Sequence, residues 1–326
     1  MALKTARINI YIYTGQPGAY TSNDLKYRLT KDVIGTQQKV VSEIGELVRD
    51  YIDNTYEGES KSVWVNTNVA LYNELGNELQ SSPVNNTYLA VDGYGNFEEG
   101  INPDFGNHVM QSNDIVYIPE GTQASIPVFA ESLSDITFYN GSTNIGSQTI
   151  ADSGHSNQKI QTVYPPTNCT RVVFDGPDER IIKIEKVCEP VFTPYKVKFI
   201  NKFGAHQNFW FFKKNTKKLS INDKTFRSNS LNIASENYSL SQGQESRFNV
   251  TAQSSISMNT GFVSESTNEA IEQMLMSEQI WIDYEGQALS IIPKSKSLTY
   301  KTDVNDKLIN YSFDFEFAFD KFNLIR

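Results

Sequence analysis

The stretch Leu308-Ile-Asn-Tyr-Ser-Phe-Asp-Phe-Glu-Phe-Ala-Phe319 decides the fold class of this chain. Its odd positions Ile309, Tyr311, Phe313, Phe315, Phe317 and Phe319 are apolar, whereas Asn310, Ser312, Asp314 and Glu316 between them are polar. A period of two held this long describes a strand with one buried and one wet face. The same period runs upstream from Arg247 to Phe262, where Phe248, Val250, Ala252, Ile256, Met258 and Phe262 share one side. Both runs exceed the usual strand of about 5–6 residues. Strands that outgrow a small core belong to a barrel, a tube or a subunit assembly. Between the two runs, Ser266 and Glu269 have the spacing of a capping box, and Ala270, Ile271, Met274 and Leu275 form an apolar stripe. That pattern predicts a helix over Ser266 to Met276.

Working outward, the block from residue 191 to the end also holds Val197, Phe199, Phe209 and Phe211 in a hairpin, Leu219 with Ile221, and strands at Ile280–Ile282 and Leu289–Ile292. The block 111–190 reads as six short strands separated by turn signals such as Asn140-Gly141, Ser153-Gly154 and Asp175-Gly176-Pro177-Asp178. That spacing predicts a small immunoglobulin-like or fibronectin-like sandwich. The block 1–110 begins with Ile8, Ile10 and Ile12 on one strand face, then Leu25, Tyr27 and Leu29. Val40, Val41, Ile44, Leu47, Val48, Tyr51 and Ile52 recur at helical spacing, which predicts an amphipathic helix of roughly three to four turns. Strands from Val63 to Tyr72 and from Tyr88 to Val91 follow, the latter ending in the turn Asp92-Gly93-Tyr94-Gly95-Asn96. The expected fold class is mainly β, with two α+β blocks flanking the small sandwich.

The chain has 326 residues, 39% of them hydrophobic and 12% aromatic, enough for two or three domains. A net charge of −9 argues against general binding to nucleic-acid phosphates, which needs a cationic footprint. The run Lys213, Lys214, Lys217 and Lys218 beside Phe209–Phe212 has the composition of a stacking groove for single strands. It reads better as solvated lysines after an apolar strand. No segment reaches the ~18 apolar residues of a membrane span, and Met1 to Arg7 has no secretory character, so cytoplasmic synthesis is expected. Cys169 and Cys188 end opposite strands of a hairpin; a disulfide is conceivable there, and two free thiols are the preferred reading.

Chemistry-bearing patterns are sparse. His108, His155 and His206 stand outside any metal-ligand spacing. No Gly-x-Ser-x-Gly elbow and no Gly-x-x-x-x-Gly-Lys loop occurs. Asp314/Glu316 and Glu98/Glu99 have the composition of a glycosidase carboxylate pair, and Asp283/Glu285 beside Trp281 and Tyr284 that of a sugar-binding site. Each reads better as the wet face of a strand, a strand end or a turn. The expectation is a protein with no catalytic residues, no cofactor and no metal.

Five phrases carry a resemblance: Tyr195-Lys-Val-Lys-Phe-Ile-Asn-Lys-Phe-Gly204, Phe209-Trp-Phe-Phe212, Asn259-Thr-Gly-Phe-Val263, Leu275-Met-Ser-Glu-Gln-Ile-Trp-Ile282 and Ser295-Lys-Ser-Leu-Thr-Tyr-Lys301. With the closing strand and Val41-Ser-Glu-Ile-Gly-Glu-Leu-Val-Arg-Asp-Tyr-Ile52, the chain resembles virion structural proteins of tailed bacteriophages and prophages of Bacteroidetes-type bacteria. The resemblance covers both outer blocks and is weakest over the middle one. It implies tail-tube-like β-sandwich blocks, each with one flanking helix, and a place in a ring at the tail tube, tail tip, baseplate or neck. The implied partners are copies of the same chain and other virion tail proteins, with phage DNA passing through a channel without specific binding. The competing expectation is a carbohydrate-binding adhesin module. The aromatic row is longer than one sandwich strand needs, so Asp314, Phe315, Glu316 and Phe317, or the matching end of Arg247–Phe262, are expected at a subunit interface; the alternative is that the Tyr195–Phe212 hairpin covers the row within one molecule.

Overall fold

The structure is a computed structural model and describes residues 3–33, 40–58, 61–79, 83–103, 109–132, 135–175, 179–189, 191–227, 231–232, 237–238, 241, 243–300 and 309–322. His108 and the Gly176–Asp178 turn lie outside them. The protein is mainly β, with two short α-helices among the described residues. It gathers into two compact units. The first comprises Met1–Cys188, Lys198–Phe209 and Ser266–Gln279; the second comprises Glu189–Val197, Trp210–Glu265 and Ile280–Arg326.

The first unit opens with an antiparallel sheet of β1 (Leu3–Tyr13), β2 (Leu25–Asp32), β3 (Ser62–Asn73) and β4 (Val84–Val91), in the order β2-β1-β3-β4. The isoleucines of β1 face inward and bury Ile8, Ile10 and Ile12 with Val63 and Val65 of β3. The helix predicted over Val40–Ile52 is a single turn and a half, α1 (Gly45–Arg49). Two adjacent β-branched residues, Val40 and Val41, resist helical backbone, and the Val41 carbonyl accepts a hydrogen bond from the Lys31 ammonium instead. The inner edge of the predicted stripe survives: Val48 and Ile52 pack onto the isoleucine cluster.

The middle strands of this unit are β5 (Ile115–Pro119), β6 (Ile126–Phe129), β7 (Asp135–Asn140), β8 (Thr143–Thr149), β9 (Ile160–Val163), β10 (Arg171–Asp175) and β11 (Arg180–Val187). Five form a sheet in the order β5-β11-β10-β7-β8, while β6 and β9 pair separately. The β5–β11 pair is parallel and the remaining pairs are antiparallel. β8 was not foreseen, because Thr-Asn-Ile-Gly-Ser-Gln-Thr is an almost fully exposed edge with no apolar alternation. Cys169 is buried, Cys188 is exposed, and no disulfide joins them.

Two later strands, β12 (Tyr195–Ile200) and β13 (His206–Phe211), run from one unit into the other. The helix α2 (Asn268–Met276) belongs to the first unit and is entered through a 3₁₀ turn, Glu265–Thr267. Its cap residue is Thr267, one residue after the expected Ser266, and Thr267 makes no side-chain capping bond. Glu269 is engaged elsewhere: its carboxylate accepts from Gln273 at 3.1 Å and pairs with Lys202 at 2.7 Å.

The second unit is built on the long strands. With β14 (Thr216–Arg227), β15 (Leu231–Asn232), β16 (Asn237–Tyr238), β17 (Glu245–Asn259), β18 (Ile280–Tyr284), β19 (Gln287–Pro293) and β20 (Ser312–Asp320), the main sheet runs β13-β12-β18-β19-β20-β17-β14. Between β18 and β19, Glu285 and Gly286 both have positive φ, as a two-residue turn matched to strand twist requires. The upstream alternation is broken twice. Asn249 adopts φ 50° at a bulge that shifts the β14–β17 register, and Gly261 at φ 73° ends the run, leaving Phe262 exposed.

Candidate functional site

The four residues expected at an interface occupy the interior of the second unit's sheet. β20 is hydrogen-bonded to β17 on one side and β19 on the other. Phe315 is 0% exposed and Phe317 5%. Phe315 stands edge-on to Phe211 with ring centres 5.9 Å apart, and Phe317 stands edge-on to Tyr284 at 5.8 Å. Tyr284 in turn stacks on Tyr195 at 5.5 Å and 4°. The aromatic row is therefore covered over Phe313–Phe317 by side chains of its own unit, and its end, Phe319, is 47% exposed. Asp314 and Glu316 point outward. Glu316 pairs with Lys294, while the Asp314 amide donates to the Ser295 hydroxyl at 3.2 Å.

β14 is one of the two outer strands of this sheet, β13 being the other. Among the described residues β14 pairs with β17 alone, from Thr216↔Ser257 to Arg227↔Glu245. Register places Leu219 and Ile221 on the face of Ala252 and Ile256, yet they are 50% and 52% exposed. Farther along the ribbon, Phe226 and Phe248 stack edge-on at 5.7 Å and are also half exposed. Lys218 and Lys224 project from the other side of β14.

The first unit contains a cleft of about 950 Å³, toward the top of the roughly 300–1,000 Å³ range of ligand pockets. Its lining mixes apolar side chains, Ile8, Val48, Ile52, Val65 and Val69 among them, with polar ones such as Thr67, Asn86, Asn201 and Gln279. It also holds the carboxylates Glu43, Glu46, Asp92 and Glu278 and one cation, Arg49. Arg49 is clamped: Nε lies 2.7 Å from Asp92 and Nη2 2.7 Å from Glu278. These two carboxylates, Glu278 foremost, raise its already high pKa. Asn54 donates to the second Asp92 oxygen at 2.6 Å. Periodicity gave no sign of this cleft, since Arg49 reads as the wet face of a helix and Asp92 as a turn residue. The Gly93-Tyr94-Gly95 run serves close approach. A Cβ at Gly93 would meet the Lys202 carbonyl at 2.7 Å, and the Tyr94 amide donates to that carbonyl at 2.9 Å.

Near this region a buried amide cluster ties together the first unit's separate segments. Gln207 Oε1 accepts from the Ser112 amide at 3.2 Å and from Asn201 Nδ2 at 2.9 Å. Ser112 Oγ lies 2.7 Å from Gln207 Oε1 and 2.6 Å from Gln273 Oε1, so its single proton serves one of them at a time. Burial drives the His206 imidazole down to about 3, helped by Lys198 and Lys61 and opposed by Asp53. Burial likewise raises the Tyr94 phenol to about 12, with Glu272 and Glu269 adding to the shift.

The other carboxylates weighed from sequence are spoken for. Asp283 pairs with Lys196 at 3.1 Å, and Glu99 accepts from Asn96 at 2.9 Å. Among the described residues no group of three or more His, Cys, Asp or Glu is placed to hold a metal ion. No helix among them is long and apolar enough to cross a membrane. Comparison with family models, curated proteins and solved structures finds no match.

Proposed function

We propose that this protein is a non-enzymatic structural subunit of a phage tail or tail-like particle, repeated around a ring at the tube, tail tip, baseplate or neck. The observation that best supports this reading is the β14–β17 ribbon. Its strands are 12 and 15 residues long, it forms one outer edge of a seven-stranded sheet, and it leaves Leu219, Ile221, Phe226 and Phe248 half exposed. Half-exposed apolar side chains along a long outer strand are a surface that another chain can cover. The phrase-level resemblance of both outer blocks to virion proteins agrees with a repeated subunit. Its partners are then copies of itself and other tail proteins, and the net charge of −9 suits a channel that DNA passes without sticking.

Light scattering coupled to gel filtration, with negative-stain imaging of the peak, tests the proposal; rings of uniform diameter are the expected result. A protein that stays monomeric at high concentration and binds one glycan class on an array belongs instead to the carbohydrate-binding modules.

A further inference from the structure

The ribbon and the cleft have complementary character. Residues 213–227 and 245–259 together carry seven lysines and arginines against two carboxylates, in a chain whose net charge is −9. Lys217 is held 4.0 Å over the Tyr284 ring and 3.9 Å from Glu285, and Lys213 is paired with Glu189. Lys218 and Lys224 are exposed and make no ion pair among the described residues. The cleft has the opposite balance. Arg49 is already shared between Asp92 and Glu278, which leaves the exposed Glu43 and Glu46 of the lining uncompensated by it.

Lysines on an open strand are a known guard against pairing with an identical strand. Two β14 edges brought together would place Lys217, Lys218 and Lys224 against their own kind, and such like-charge contacts are destabilising. The ribbon is thus shielded from its own copy and open to an acidic surface that also carries apolar side chains. The cleft has both properties. From the charge complementarity and the half-exposed apolar side chains we infer that the cleft of one copy receives the β14 edge of the next. Leu219 and Ile221 lie against the apolar part of its lining, while Lys218 and Lys224, from the other face of the strand, meet Glu43 and Glu46. Contact between two different patches is heterologous, so it propagates head to tail and closes into a ring when the rotation allows. This inference rests on the assembly reading above and names the surfaces that carry it.

Charge reversal on each side, followed by the swap, is the test. Sedimentation velocity of the full chain should show Lys218→Glu/Lys224→Glu and, separately, Glu43→Lys/Glu46→Lys each weakening self-association by about tenfold or more. The chain carrying all four changes should recover most of the wild-type association, and salt should weaken only the wild type and the swapped chain. All four positions are exposed, and circular dichroism checks that each variant stays folded. If the wild type associates and neither reversal weakens it, or if the swap fails to restore it, the proposed contact is overturned while the assembly reading stands. If the wild type remains monomeric at all concentrations and salt levels, both fall.

Discussion

Single residues carry unequal weight in this fold, and three of them make that measurable. Phe315 is fully buried and edge-on to Phe211, so Phe315→Ala leaves a cavity as well as lost contact. We expect a loss of about 3–5 kcal/mol in denaturant unfolding. Gly93 has no room for a methyl group, because the nearest atom is backbone rather than a movable side-chain end. Gly93→Ala should cost about 1–3 kcal/mol, read as a lower melting temperature. His206 is held neutral, its pKa depressed to about 3 chiefly by burial. Its unfolded value is near 6.5, so the unfolded chain binds the proton more readily. The stability associated with neutral His206 is complete above about pH 6.5 and falls away as the pH drops toward 3. Unfolding midpoints between pH 8 and 4 should fall, and His206→Gln should flatten that slope.

Among the elements, those with strong period-two or period-four burial were legible and those set by long-range contact were not. The rows Ile8-Ile10-Ile12 and Phe313-Phe315-Phe317 announce their strands because alternate side chains enter a core. β8 buries almost nothing and has no such signature. The helix over Val40–Ile52 was overread, since spacing cannot register that the Val41 carbonyl is engaged by Lys31. The helix of Ser266–Met276 begins at Asn268 with Thr267 as its cap, and Glu269 is engaged by Lys202, a partner far away in sequence. The cleft was illegible for the same reason: Glu43, Arg49, Asp92 and Glu278 come from separate loops and helix ends. The edge strand supplies a further prediction. Leu219→Thr and Ile221→Thr, at half-exposed positions, should each change stability by no more than about 0.5 kcal/mol. Both should reduce self-association by gel filtration. A melting temperature that collapses would show that these side chains belong to the core.

At the scale of the molecule, neither compact unit is one continuous piece of chain. Gln207 and Gln273, which satisfy Ser112, belong to the first unit but lie beyond its first 188 residues. A fragment ending at Cys188 would keep all the strands of its two main sheets and lose those buried partners. Unmet buried polar groups cost about 1–3 kcal/mol each. We expect fragment 1–188 to give poorly dispersed amide NMR signals, and the full chain well-dispersed ones.

The same interleaving imposes a schedule on synthesis. When Cys188 leaves the ribosome, the first unit still lacks Lys198–Phe209 and Ser266–Gln279. At roughly 5–20 residues per second, the wait for α2 is on the order of seconds, long compared with the collapse of a small chain. Asn201 and Gln207, which bond Met110, Ser112 and Asn113, emerge first, and Gln273 of α2 reaches Ser112 last. Until then the nascent chain presents unmatched amide surface to whatever stands at the tunnel exit.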